Sequence, residues 1–364
     1  MTDAQTEARY LIDPYVRWAE GEGVPIIEDF GVDLLAVETA PWPRLGADAA
    51  FVNLKGRGDF INVVVMEVPP GGAVDPQQHL YEEVVYVLSG NGSTVVEMPD
   101  GQRHSFEWGP RSLFALPLNY RYRHYNASGF EPARLASTTN LPMTLNLYHN
   151  ESFIFGNSHE FPERLGGERH FSGEGDFIPV RPGKHMWETN FVADLSDFEL
   201  HTWKARGAGG SNMMFVLADG TMHAHMSEMP VGTYKKGHRH GADFHVFTVM
   251  GQGYSLLWYE DDEDFHRVDW QHGVVFAPPD RMFHQHFNIS PEPARYLATA
   301  FGGLRYPFST EKRNAFLGAD VSLKDGGDQI EYADEDPRIS QIYQQELART
   351  SAPYRMAEHV GRGA

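Results

Sequence analysis

Three histidines in the second half of the chain have the types and spacing of a metal site. His238 and His240 are two residues apart, and His284 follows 44 residues later. Side chains two apart on a β-strand point to the same side, so both imidazoles can face one ion while Arg239 faces the other way. Three imidazoles suit Fe(II), Mn, Ni or Zn and leave positions open for a substrate or O2. The chain has no cysteine, which excludes thiolate ligands.

Two further residues are candidates for catalytic work beside such an ion. His286 has the same strand parity as His284, so it can move a proton, replace a ligand or serve a structural role. Arg281 precedes His284 by three residues and is able to hold a substrate carboxylate through two hydrogen bonds. The alternative for Arg281 is a solvated residue in a turn.

Other histidines lie near the same motif, but they are weaker candidates for metal ligands. His245 falls on the opposite side of its strand from His240, so it needs a bulge to reach an ion. His223 and His225 lie on the preceding strand, where they either line a pocket or are satisfied structural residues.

An internal duplication supplies the elements that position these residues. When His79 is set against His240, matching residues follow in the same order at an offset of about 160 residues. The pairs are Glu67 and Glu228, Pro69 and Pro230, Gly71 and Gly232, Gly90 and Gly251, Pro117 and Pro279, Tyr122 and His284, His124 and His286, and Asn126 and Asn288. Arg134 and Arg295 also match, which predicts a structural ion pair with Glu131 or Glu292. The chain therefore contains two copies of one domain.

Short Val-, Phe- and Tyr-rich runs bounded by Gly or Pro predict β-strands in both copies. The predicted division is an N-terminal arm over 1–50 with a weak helix from Pro14 to Glu22, a first domain over 51–141, a linker over 142–195, a second domain over 196–303, and a tail over 304–364 with a helical piece from Ile339 to Arg349.

The repeated segments resemble the two sequence motifs of the cupin superfamily. The second copy has Gly232, His238-x-His240 and Gly251, then Pro279, His284 and Asn288, with Phe244 at the position of the usual Glu. The first copy keeps His79 and Glu83 but has Gln77 and Tyr122 where histidines are usual. The resemblance implies an all-β fold of two tandem jelly-roll barrels, of which the second holds the metal and the first is a metal-free scaffold.

Within the superfamily, a His-x-His pair without the Glu resembles the gentisate and 1-hydroxy-2-naphthoate dioxygenases. That resemblance implies Fe(II) held by His238, His240 and His284, and cleavage of a hydroxylated aromatic acid by O2. Two departures are that the metal barrel is here the C-terminal one and that Phe244 is bulkier than the residue usual in that group.

The expected function is therefore an Fe(II)-dependent dioxygenase, with Mn, Ni or Zn as alternative metals. A metal-dependent lyase, decarboxylase or isomerase, or a non-catalytic binding protein, remains open. The formal charge of −20 argues against nucleic acid and anionic membranes as partners. The polar, acidic start lacks the pattern of a secretory signal, which favours a cytoplasmic protein. The resemblance also favours a homo-oligomer.

Overall fold

The computed structural model describes residues 12–57, 59–98, 100–241, 244–303, 305–308 and 320–360. The first half comprises helix α1 (Pro14–Glu22) and strands β1 (Ile26–Ile27), β2 (Gly31–Asp33), β3 (Ala40–Trp42), β4 (Ala47–Val52), β5 (Asn62–Val68), β6 (Glu83–Ser89), β7 (Gly92–Glu97), β8 (Arg103–Trp108), β9 (Leu113–Ala115), β10 (Arg121–Asn126) and β11 (Ala133–Thr139). Strands β1, β4, β5, β11, β6, β9 and a later strand form one sheet, and β10, β7 and β8 form a second.

The second half repeats this arrangement. It comprises helices α2 (Leu141–Tyr148) and α3 (Glu151–Phe155), strands β12 (Asp176–Arg181), β13 (Lys184–Thr189), β14 (Phe191–Val192), β15 (His201–Thr202), β16 (Ser211–Leu217), β17 (Met222–Met229), β18 (His245–Met250), β19 (Gly253–Trp258), β20 (His266–Trp270), β21 (Val274–Phe276), β22 (Phe283–Asn288) and β23 (Ala294–Phe301), and helices α4 (Pro337–Thr350) and α5 (Ala357–Val360). The large sheet runs from β12 through β13, β16, β17, β23, β18 and β21 to β2, and β20, β19 and β22 form the small one.

Each half receives one strand from sequence that lies outside it. Strand β2, from the N-terminal arm, pairs with β21 of the second barrel, while β14 pairs with β9 of the first. The segment over 142–195, expected to be a linker, thus contributes β14 to one sheet and the β12–β13 hairpin to the other. The exchange ties the two barrels together.

Strand β5 shows why the central strands consist of nearly continuous runs of apolar residues. Val63 and Val65 face a core shared between the two barrels, whereas Val64 and Met66 face the interior of the first barrel. Because neighbouring side chains point to opposite faces, a strand buried on both faces loses the usual alternation of polar and apolar residues.

The duplication is visible as contacts at equivalent positions. Thr138 and Thr299 lie 161 residues apart and share a hydrogen bond of 2.9 Å between their hydroxyls where the barrels meet. The predicted pairing of the recurrent arginines with Glu131 or Glu292 is wrong: Arg134 pairs with Glu67 at 2.8 Å, and Arg295 pairs with Glu228 at 2.7 Å. In both cases the partner lies directly opposite on the adjacent strand, where a long side chain reaches it most easily.

The predicted mostly-β architecture of two tandem jelly-roll barrels is confirmed. The helix at Pro14–Glu22 is present, capped by the Asp13 side chain, and the C-terminal helix spans Pro337–Thr350. In the part of the chain that the structure describes, no helix is both long and apolar enough to span a membrane.

Candidate metal centre

Two chain segments inside the second barrel bring the three predicted histidines together. His238 lies between β17 and β18, and its backbone exchanges two hydrogen bonds with His284 on β22, of 3.1 and 2.8 Å. The centroids of these two rings are 4.1 Å apart, and the His240 ring lies 4.6 Å from that of His284. One ligand atom of each of the three residues lies within 4.8 Å of the others. The backbone pairing thus sets the spacing of the triad.

The protonation of the triad fits metal binding. Burial, together with Arg206, holds the pKa of His238 well below its usual range, and burial with His240 does the same for His284. Neutral imidazole is the form that binds a metal. The Nδ1 atoms of His284 and His240 lie 3.1 and 2.7 Å from the carbonyls of Met282 and Gly241. A carbonyl accepts, so Nδ1 carries the proton and Nε2 keeps the lone pair.

The sequence motifs did not reveal Arg206, which contacts the triad directly. Its side chain is 3% exposed, and Nη2 lies 2.6 Å from Nε2 and 2.7 Å from Nδ1 of His238. Burial lowers the pKa of this guanidinium. Arg206 lies in a short turn after β15, some 30 residues before His238, so no motif spacing connects the two.

The side chain of Arg281 has a partner within the chain. Its guanidinium donates two hydrogen bonds to Asp328, of 2.7 and 3.2 Å. Its backbone has a positive φ of 58° and donates to the carbonyl of His240 at 3.0 Å. Positive φ favours Gly, which is the usual residue of the motif at this position. A role for Arg281 in substrate binding therefore stays a prediction.

His286 makes the same hydrogen-bond pattern as its counterpart in the first barrel. Its Nδ1 lies 2.8 Å from the Ser255 hydroxyl, which also accepts from Trp270 at 3.0 Å. In the first barrel His124, Thr94 and Trp108 repeat this pattern with the same two distances. The pattern therefore belongs to the architecture of both barrels. What distinguishes His286 is its position, 5.5 Å between ring centroids from His284.

The remaining candidate histidines are outside the triad. His245 pairs in register with Thr299 on the sheet face towards the other barrel. Burial lowers its pKa to about 3. His223 and His225 share a contact of 2.7 Å between ring nitrogens, and both rings lie beside Phe244, at 5.6 and 6.3 Å. Phe244 in turn lies 4.3 Å from His240, so this aromatic side chain contacts both the pair and the triad.

In the first barrel, the residues at the equivalent positions make polar contacts with one another. His79 Nε2 lies 3.1 Å from the Tyr122 hydroxyl and 3.4 Å from the Glu83 carboxylate. Although burial raises the pKa of Glu83, its hydrogen bonds and charge interaction with His79 lower it to about 2. Gln77 donates to the backbone carbonyls of Arg44 and Asp75. One imidazole, a carboxylate and a phenol in mutual contact make a poor metal site, and the scaffold role of this barrel stays a prediction.

Comparison with known proteins supports the fold and leaves the reaction open. No protein-family model matches the chain, and no curated protein matches it in sequence. Among solved structures, it is similar to a formate complex of Lactobacillus farciminis oxalate decarboxylase, with a TM-score of 0.50 and 15% identity over 80% of this chain and 91% of that one.

Two structures of the Bacillus subtilis oxalate decarboxylase are also similar. One, at pH 4.6, has a TM-score of 0.48 and 14% identity over 82% of this chain and 84% of that one. The other, from a study of that enzyme's Mn(II) centres, has a TM-score of 0.48 and 14% identity over 87% of each chain. At such identities the similarity concerns the two-barrel fold, and the specific resemblance to gentisate dioxygenases is not shown.

Proposed function

We propose that the protein is an Fe(II)-dependent dioxygenase acting on a small anionic molecule that carries hydroxyl and carboxylate groups, with an aromatic acid as the expected class. The observation that carries this proposal is the triad of His238, His240 and His284, of which His238 and His284 are buried and neutral, next to the buried guanidinium of Arg206.

The charge around the triad favours an anionic ligand. The triad contains no carboxylate, so its ligands leave the charge of a divalent ion uncompensated. Arg206 and Lys235 add positive charge near the triad, since, besides burial, both lower the pKa of His286, whose ring lies beside that of His284. Positive charge in a buried site of low dielectric attracts anions, so a substrate carboxylate that enters the barrel is favoured there.

The chain supplies binding, orientation and exclusion of water. Bound Fe(II) contributes the redox chemistry by which O2 attacks an electron-rich substrate. Phe244 beside His240, with Val246 and Leu257 in the same apolar cluster, keeps this part of the barrel dry. A dry surrounding strengthens the interaction of Arg206 with a substrate carboxylate. His286, whose orientation is fixed by Ser255, is placed to transfer a proton beside His284.

Oxygen uptake by iron-loaded protein tests this proposal. The protein, reconstituted anaerobically with Fe(II), is mixed with a panel of hydroxylated aromatic acids at an oxygen electrode, and products are analysed by mass spectrometry with isotopically labelled O2. We expect O2 uptake and incorporation of both oxygen atoms into one product. His284→Ala should abolish the uptake, whereas His149→Ala, which changes an exposed histidine, should not.

The second candidate is a metal-dependent lyase, decarboxylase or isomerase that needs no O2. The pairing of Lys235 with Tyr296 favours it, because such a pair supplies acid–base chemistry without a redox step. Product formation without O2 uptake would support this candidate and overturn the first. Ligand binding without any turnover on the panel would favour a non-catalytic binding protein.

A further inference from the structure

A buried ammonium group lies against a phenol inside the second barrel. Lys235 is 2% exposed and Tyr296 is 8% exposed. The Nζ atom of Lys235 donates to the hydroxyl of Tyr296 at 3.3 Å and lies 4.9 Å from the centroid of that ring. Within the described residues, no ion pair links Lys235 to a carboxylate. Because a buried cation is costly without an anion, this contact favours the ionised form of the phenol.

The histidines that face Tyr296 are neutral, and the charged groups that lower its pKa are positive. The centroid of its ring lies 5.0 Å from that of His286 and 6.3 Å from that of His225, both neutral imidazoles because burial lowers their pKa values. Burial raises the pKa of Tyr296, but the positive charges of Lys235 and Arg206 outweigh it and lower that pKa below its ordinary value.

The pKa of the ammonium is lowered as well. Burial lowers the pKa of Lys235, and its interactions with Tyr296 and with the carboxylate of Glu228 oppose this only in part. Because the two groups are in direct contact, they titrate as a coupled pair.

Tyr296 contacts a histidine that lies beside the triad. Its neighbour His286 lies 5.5 Å from His284 and 6.4 Å from His238, measured between ring centroids. Across the sheet, Tyr296 pairs in register with Ser227, and His225 pairs with Ala298.

The ammonium–phenol pair is present in the barrel that carries the triad and is replaced in the other. With the offset of 161 that relates Thr138 to Thr299, Lys235 corresponds to Val74 and Tyr296 corresponds to Leu135. Both counterparts are buried apolar residues in the core of the first barrel. The ammonium–phenol pair is therefore not a requirement of the barrel architecture, and it occurs in the barrel that carries three histidines.

We infer that Tyr296 is the group that takes a proton from a substrate hydroxyl at the triad, and that Lys235 is the positioning residue that keeps the phenol ionised. In this step the substrate O–H bond breaks, its electron pair stays on the substrate oxygen, and the proton forms the O–H bond of Tyr296. The assignment of a substrate rests on the proposed function, but the ionisation of Tyr296 does not.

An ultraviolet difference titration tests the ionisation without any substrate. The tyrosinate absorbance of the metal-loaded wild-type protein is followed with pH and compared with that of Tyr296→Phe. In the wild type we expect one tyrosine to ionise below the usual pH range of tyrosines, and this titration step should be missing in Tyr296→Phe. In Lys235→Met the same step should occur at higher pH. Tyr254→Phe, the control, removes a buried tyrosine whose pKa burial raises, and should not change that range. Identical low-pH titrations of wild type and Tyr296→Phe would overturn the inference.

The pH dependence of turnover tests the proton transfer itself. With an accepted substrate, Tyr296→Phe should lower kcat/KM by about 10²-fold or more at unchanged metal content, because a general base is lost. Lys235→Met should displace the acid limb of the pH–rate profile to higher pH, with activity recovering as pH rises. If Tyr296→Phe keeps the wild-type rate and profile, the role in proton transfer is refuted while the proposed function stands. If no substrate is turned over, the proposed function fails and the titration still decides the ionisation.

Discussion

Arg281 and Asp328 form a two-point ion pair, with Nη2 2.7 Å from Oδ1 and Nη1 3.2 Å from Oδ2. Asp328 also accepts from Arg239 at 3.0 Å, and its backbone carbonyl accepts from the backbone N–H of Arg239. The segment that contains Asp328 is thereby fixed to the turn before His284 and to the residue between His238 and His240. The structure thus gives Arg281 a partner within the chain.

The first prediction concerns this ion pair. Because both partners are partly exposed, Arg281→Ala should lower the free energy of unfolding by about 1 kcal/mol or less. Asp328→Ala costs somewhat more, since it also removes the contact with Arg239. In a double-mutant cycle followed by chemical denaturation, the two changes should be less than additive. A rise in KM for Arg281→Ala that Asp328→Ala does not share would instead assign Arg281 to the substrate.

The second prediction concerns the guanidinium beside His238. Arg206→Gln removes a positive charge next to the metal position, so the dissociation constant for the metal should fall. The same change should raise KM for an anionic substrate, because its carboxylate loses a buried cation. Isothermal titration with metal and steady-state kinetics measure the two effects. Weaker metal binding by Arg206→Gln would show that Arg206 orients His238 instead of competing for it.

The third prediction concerns the hydrogen-bond pattern that occurs in both barrels, so a change in the first barrel serves as the control for a change in the second. Ser255→Ala leaves the buried Trp270 and His286 without their shared partner, which should cost about 1–3 kcal/mol of stability. Thr94→Val makes the matching change in the first barrel and should cost a similar amount. Only Ser255→Ala should lower turnover, since only His286 lies beside the triad. Equal losses of turnover in the two variants would argue against a role for His286.

The fourth prediction is a pH dependence of stability that resides in the first barrel. The pKa of Glu83 is about 2 in the folded protein and near 4.5 for the free side chain. A lowered folded-state pKa stabilises the protein above the unfolded value, and this contribution is lost as pH falls from about 4.5 towards 2. Glu83→Gln should therefore be less stable than wild type at neutral pH, by an amount on the order of 2–3 kcal/mol. In urea denaturation the difference should shrink below pH 4.5, and a constant difference would contradict this account.

The fold could be predicted from sequence because the strand pattern is duplicated, and the triad because its three histidines stand at motif positions. His238, His240 and His284 stand at motif positions, and the duplication defines two barrels independently of composition. The environment of the triad could not be predicted in this way. Arg206 reaches His238 from a distant turn, and Lys235, whose backbone N–H donates to His286 on β22, contacts Tyr296 on β23.

Arg281 shows a second limit of sequence patterns. Its position before His284 is that of a turn residue, and the partner that satisfies it lies 47 residues later in a tail without a recognisable motif. The exchange of β2 and β14 between the barrels was also not predicted, because strands of two or three residues carry too little alternation to be recognised.

The most direct test of the metal centre is the metal content per chain, measured by mass spectrometry on protein purified without added metal or chelator and after reconstitution. We predict about one ion per chain for wild type and for His149→Ala, and nearly none for folded His284→Ala. Iron as the bound ion would support the dioxygenase. Undiminished metal in His284→Ala, or no metal in wild type after reconstitution with Fe(II), Mn, Ni and Zn in turn, would contradict the three-histidine site.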